Sequence, residues 1–265
     1  MSYKAFGLIN EDEIYEALKD KRVSELSNNM RFMMVHLFGI LDDKEVIKAT
    51  KTCEFVKPDI MVTYKNKTLG ISIKSNNSEL VHCEQLSVFV DVLRSEGISE
   101  ETIKTLQLFH YGDGTIDGTG KERLGYSEIK YRLLDRIKKA NQELNASDER
   151  IIRIMNRCMF DGVREDAEKA DAIYIGDVNY GVIATKEQIR RYTHGSKWSF
   201  YENFHIGPLI LKPHARYVGK QVRNEKFRNQ IDLYWPKLQS DLDFISRRYN
   251  FYDTPHKSYR DKYGK

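Results

Sequence analysis

The chain has no uninterrupted apolar run of membrane-spanning length, and its opening MSYKAFGLINEDE has neither the basic start nor the apolar centre of a signal peptide. The expectation is an intracellular, cytoplasmic protein with no membrane partner. Cysteine is scarce: Cys53, Cys83 and Cys158 are the three, far apart, with no CxxC and no Cys/His cluster of zinc-ligand spacing. They read as reduced structural thiols. Internal repeats and low-complexity linkers are missing. Neither sign of charge dominates, since the formal net charge is +4 and the pI about 8.7. Such a mildly basic balance permits nucleic-acid binding without demanding it.

What is present fits a globular protein of 265 residues, long enough to bury a substantial core. Basic residues gather at one end: residues 214–265 hold twelve Lys and Arg against six Asp and Glu. Helices are expected over residues 10–21 and over 24–38, the second capped by Ser24 with Leu26, Met30, Met33, Met34 and Leu37 as its apolar stripe. Strand character follows within 46–56, then a hairpin, then a helix starting at Ser78 and stopping at Gly97. Residues 99–165 read as a helical insertion interrupted by HYGDGTIDGTG. Two strands flank the turn 177–179, a helix spans 186–193, and an apolar strand over 205–211 is broken by Pro208. One helix is expected over 225–249, kinked or divided by Pro236. The fold class is therefore α/β, mixed α+β, with a core over 1–213 and a basic aromatic extension over 214–265 that packs on or continues it.

Candidate chemistry centres on PDIMVTYKNKTLGISIK, residues 58–74. Two β-branched runs flank the polar turn Lys65-Asn66-Lys67, the pattern of a β-hairpin. Asp59 opens the first strand, while Ser72 and Lys74, two apart, share a face near the end of the second. A carboxylate beside an ammonium suits a divalent metal held next to a phosphate.

Pro58-Asp59, twelve intervening residues, then Ser72-Ile73-Lys74 resembles the PD…(D/E)xK signature of the restriction-endonuclease-like nucleases. The resemblance covers residues 20 to 95 well and the rest in outline. It implies a central mixed sheet flanked by helices and Mg²⁺-dependent cleavage of phosphodiester bonds, with Mn²⁺ able to substitute and no small-molecule cofactor. Asp59 matches the metal-binding aspartate, and Lys74 the lysine that positions or activates the attacking water. Ser72 departs from the pattern, because the family has Asp or Glu there. Some members recruit a glutamate from the following helix instead, and this chain offers Glu84 or Glu79, with the Ile73 carbonyl as a further ligand. Glu25 loosely matches the glutamate that many members place on the preceding helix; it is equally a first-turn acid after a cap. The implied protein is a type II-like restriction or defence endonuclease acting on double-stranded DNA, and a double-strand break with one active site per chain implies a homodimer. A catalytically inactive DNA-binding module of the same fold, or a repair or RNA-directed nuclease, stays open.

Lys121, Arg123 and Arg132, and again Arg216, Lys220 and Arg223, lie among tyrosine and phenylalanine, a composition suited to phosphate-backbone contact. A solvated helix face accounts for them equally well one by one. The HYGDGTIDGTG segment lacks a glutamate to close a calcium loop and has Tyr111 where a phosphatase aspartate would stand. It reads as a connecting turn or as a phosphate-facing loop. His36, His82 and His205 lie on core elements and receive no role.

Overall fold

The computed structural model describes residues 3–53, 56–120, 123–164, 166–200, 203–214 and 225–249. Helix α1 (Tyr3–Leu18) leads to a single 3₁₀ turn, Val23–Glu25, and then α2 (Asn28–Phe38). Ser27, not Ser24, caps α2: its hydroxyl accepts from Met30 N at 3.2 Å. Met30, Met33, Met34 and Leu37 are buried as their helical spacing demands, while Leu26 precedes the helix. Strand β1 (Lys48–Lys51) pairs antiparallel with β2 (Ile60–Tyr64), which pairs antiparallel with β3 (Lys67–Lys74). The turn is tighter than the sequence pattern implied. Tyr64 pairs with Lys67, leaving Lys65 and Asn66 to reverse the chain, with Lys65 left-handed at φ 53°.

The expected helix over residues 78–97 is corrected. Residues Leu80–Gln85 form strand β4, and only Leu86–Ser95 form helix α3. The apolar residues Leu86, Phe89, Val90 and Leu93 keep helical spacing and are buried; the stretch before them has a strand partner elsewhere in the chain. After α4 (Glu100–Tyr111), α5 (Tyr126–Leu144) and α6 (Asp148–Asn156), the chain makes a π-helical turn, Arg157–Asp161, and enters β5 (Ala172–Gly176) and β6 (Gly181–Thr185). Helix α7 (Lys186–Thr193) starts with a capping box between Thr185 and Gln188. Pro208 lies in the tight turn between β7 (His205–Ile206) and β8 (Leu209–Pro213), where Gly207 takes φ 54°. The single helix expected over 225–249 is also corrected: a short α8 (Glu225–Arg228) precedes strand β9 (Gln230–Tyr234), and Pro236 separates that strand from α9 (Leu238–Arg248).

These elements build a mixed α/β fold with two sheets. The first runs β1-β2-β3-β5-β6, with β3 and β5 parallel and the other pairs antiparallel. The second runs β4-β9-β8-β7 and is antiparallel throughout. Along β2 and β3, Ile60, Val62, Tyr64, Ile71 and Ile73 pack towards α1 and α2, against Ile14, Leu18 and the α2 methionines. Ile173, Ile175, Val182 and Ala184 belong to the larger cluster on the opposite side, with the later helices and the second sheet. Strand alternation therefore turns Ser72 and Lys74 away from Ile71 and Ile73. No described helix is long and apolar enough to cross a membrane.

Candidate active site

Asp59 stands one residue ahead of β2. Its own N–H donates to Ile71 O at 2.9 Å, and its carboxylate Oδ2 accepts the next donor, Ile73 N–H, at 2.5 Å. Where the hairpin ladder ends, the side chain stands in for a backbone acceptor of the Ile73 N–H. The Thr52 hydroxyl secures the Pro58 carbonyl from the β1 side. Gly70 makes room beneath: a Cβ there would stand 2.4 Å from Lys169 O and 3.0 Å from Pro58 Cβ. The local geometry thus fixes the carboxylate relative to Ser72, Ile73 and Lys74.

Burial raises the Asp59 carboxyl above its ordinary range, against the opposing pull of Lys74, the Ile73 N–H, the Ser72 hydroxyl and Lys57. Ser72, only 2% exposed, lies beside this carboxylate, and its hydroxyl helps to hold the carboxyl down. The position that holds a second carboxylate in the resembling nucleases is filled here by a hydroxyl.

A second carboxylate, from a residue the sequence reading passed over, is close enough to feel the charges of Asp59 and Lys74. Glu11 of α1 has its carboxyl pushed up to about 7, first by burial and then by the negative charge of Asp59, while Lys74 acts in the opposite direction. Its neighbour Asn10 donates to Gly176 O at 2.8 Å and docks this part of α1 at the end of β5. The missed signal was positional. Glu11 shares a helical stripe with Ile14 and Leu18, both fully buried, so it is an acid on the inward face of an amphipathic helix. Lys57 was missed as well. Burial, and then the adjacent Lys74 ammonium, push Lys57 down to about 7, while Cys158, Asp59 and Glu84 oppose.

The glutamates expected to complete the site lie elsewhere. Glu25 is exposed and its carboxylate accepts from Arg22 N at 2.6 Å, the local capping arrangement. Glu79 is exposed, accepting from Lys237 N at 3.1 Å at the start of α9. Glu84 belongs to β4 instead of a helix, and its side chain is 4% exposed. Arg157 grips it with two bonds, at 2.6 and 2.7 Å, and His82 Nε2 lies 3.2 Å away. Burial pushes the Glu84 carboxyl up, but His82 and Arg157 outweigh it and hold it below the usual range. Lys57 feels the charges of both Asp59 and Glu84, and its ammonium donates to Val81 O at 3.5 Å.

Of the expected nucleic-acid contacts, Lys121, Arg216, Lys220 and Arg223 lie outside the described residues. Arg123 is buried, at 8% exposure, and does not present itself to a phosphate. Arg132 is exposed and paired with Glu128 at 2.7 Å. In the HYGDGTIDGTG segment Asp113 accepts from Thr115 N, Thr115 Oγ1 and Gly120 N, and pairs with Arg228 at 2.7 Å. Those backbone donors are spent inside the loop, as a connecting turn requires.

The donors gathered around Asp59 are hard oxygens: two carboxylates and a hydroxyl, with ammonium groups alongside. Both carboxyls hold protons more tightly than usual chiefly because they are buried, and a carboxylate and hydroxyl donor set of this kind suits a small, hard divalent cation. No protein-family model and no curated protein matches the chain.

Proposed function

We propose that this protein is a Mg²⁺-dependent DNA endonuclease that hydrolyses phosphodiester bonds, of the restriction or defence type. The observation that carries the reading is Asp59, locked by the Ile73 N–H and sharing its surroundings with Glu11 and Lys74. Asp59 and Glu11 are the residues that would hold Mg²⁺, with Glu11 doing what a carboxylate at position 72 does in the resembling nucleases. When bound, the ion polarises the scissile phosphate and lowers the pKa of a bound water. The protein's own part is positional and electrostatic. The Ile73 N–H and the Ser72 hydroxyl orient the Asp59 carboxylate, and Lys74 offsets negative charge developing on the phosphate.

Purified protein incubated with plasmid DNA, in Mg²⁺ or in EDTA, tests the proposal. Mg²⁺-dependent fragments are expected, discrete for sequence-specific cutting and smeared for non-specific cutting; a parallel RNA substrate separates the two polymers. Asp59→Ala and Lys74→Ala should each reduce cleavage at least about a hundredfold with unchanged circular dichroism. Full activity in either variant removes the assignment. DNA binding without any cleavage by the unmodified protein selects the inactive-module reading. Sedimentation with and without DNA tests the homodimer that a double-strand break implies.

A further inference from the structure

The outer face of the second sheet carries a cluster unrelated to the Asp59 site. Cys83 of β4 stands directly across from Asp232 of β9, and His214 immediately follows β8. Their side chains alternate with Ile231 and Leu233, which enter the core, so this group lies on the other side of the sheet. His214 Nδ1 lies 2.9 and 3.0 Å from the two Asp232 oxygens and 3.7 Å from Cys83 Sγ. All three ligand atoms fall within 4.8 Å of one another. Asp232 is 2% exposed, whereas the His214 side chain is 34% exposed, so the cluster is anchored below and open above.

A nucleophilic Cys-His-Asp relay does not fit. A relay needs the carboxylate on one ring nitrogen and the thiol on the other; here both approach Nδ1. Convergence of a carboxylate, an imidazole nitrogen and a sulfur on one point is instead the arrangement of metal ligands. Tetrahedral zinc, with Zn–N about 2.0 Å and Zn–S about 2.3 Å, sets an N–S edge of about 3.5 Å and an N–O edge of about 3.3 Å. The observed separations lie within a few tenths of an ångström of those edges. Two more groups fix the surroundings: the Tyr234 hydroxyl donates to Asp232 Oδ2 at 3.2 Å, and the Lys212 ammonium is drawn aside over the Tyr234 ring, 4.6 Å from its centroid.

We propose that Cys83, His214 and Asp232 bind a thiophilic divalent ion of the zinc class, with a fourth position left to water. The ion staples β4 and β9 to the end of β8. Its soft sulfur and nitrogen donors separate it chemically from the all-oxygen site at Asp59, so Mg²⁺ does not compete for it.

Metal-stripped full-length protein titrated with Co²⁺ tests this directly. One equivalent should produce a thiolate-to-cobalt charge-transfer band in the near ultraviolet, displaced by Zn²⁺, and Zn²⁺ should raise the melting temperature in the presence of excess Mg²⁺. Cys83→Ser should abolish the charge-transfer band, and His214→Ala should weaken binding by at least about tenfold. Cys158→Ala, which alters the buried His82, Glu84 and Cys158 group, should leave the band intact. No stoichiometric binding, a band surviving in Cys83→Ser, or one lost in Cys158→Ala overturns the proposal.

Discussion

Glu11 gives the site a pH signature. Between the ordinary carboxyl value of 4.5 and about 7, the folded chain keeps a proton on Glu11 that the unfolded chain has released. Stability therefore falls as pH rises through that window, and the loss is complete above it. In urea melts at pH 5 and pH 8, Glu11→Gln should remove much of this drop, and Mg²⁺ should recover stability at pH 8 in the unmodified protein only. A difference between the two proteins that is the same at both pH values would mean that Glu11 is not held as described. Gly70 makes a steric prediction of its own. In Gly70→Ala the added methyl meets the Lys169 carbonyl and Pro58, at a cost of about 1–3 kcal/mol in a denaturant melt, and because Pro58 moves with Asp59, cleavage should fall as well.

Among the elements, the β2–β3 hairpin was legible because everything that specifies it is local. Alternating β-branched residues and a short polar turn fix both register and face, so Asp59, Ser72 and Lys74 could be placed together before any tertiary contact was known. Strands β4 and β9 were not legible. Gln85 pairs with Gln230, about 145 residues later, and each strand borders helical periodicity that captured it in a local reading. That error had a chemical consequence. Glu84, expected on a helix that would complete the hairpin site, is delivered by its strand to Arg157 instead. Glu11, carried by α1, needed only the observation that an acid interrupts a buried stripe. The strand placement predicts that Arg157→Ala, which leaves Glu84 buried without its guanidinium, costs about 3–5 kcal/mol. The double variant Glu84→Gln with Arg157→Met should be the milder of the two in the same chemical-denaturation assay.

Over the whole molecule, residues 225–249, part of the stretch expected to pack on or continue the core, supply interior architecture. Strand β9 lies between β4 and β8, and Ile231, Leu233, Trp235, Leu238, Leu242 and Ile245 belong to the larger core cluster. A chain ending at residue 213 loses the centre of the second sheet, so calorimetry should find no cooperative unfolding transition for it. A sharp transition at the full-length temperature would show that the first sheet and its helices fold alone.

The placement of β9 also orders events in time. During synthesis the hairpin with Asp59 and Lys74 can form as soon as residues 58–74 emerge, but β4 and β8 wait with an unfilled gap until residues 230–234 are made. Closing so distant a pairing is the slow kind of folding step, and until then two hydrogen-bonding edges are open to the wrong partner. The bonds that complete the second sheet are thus among the last to form.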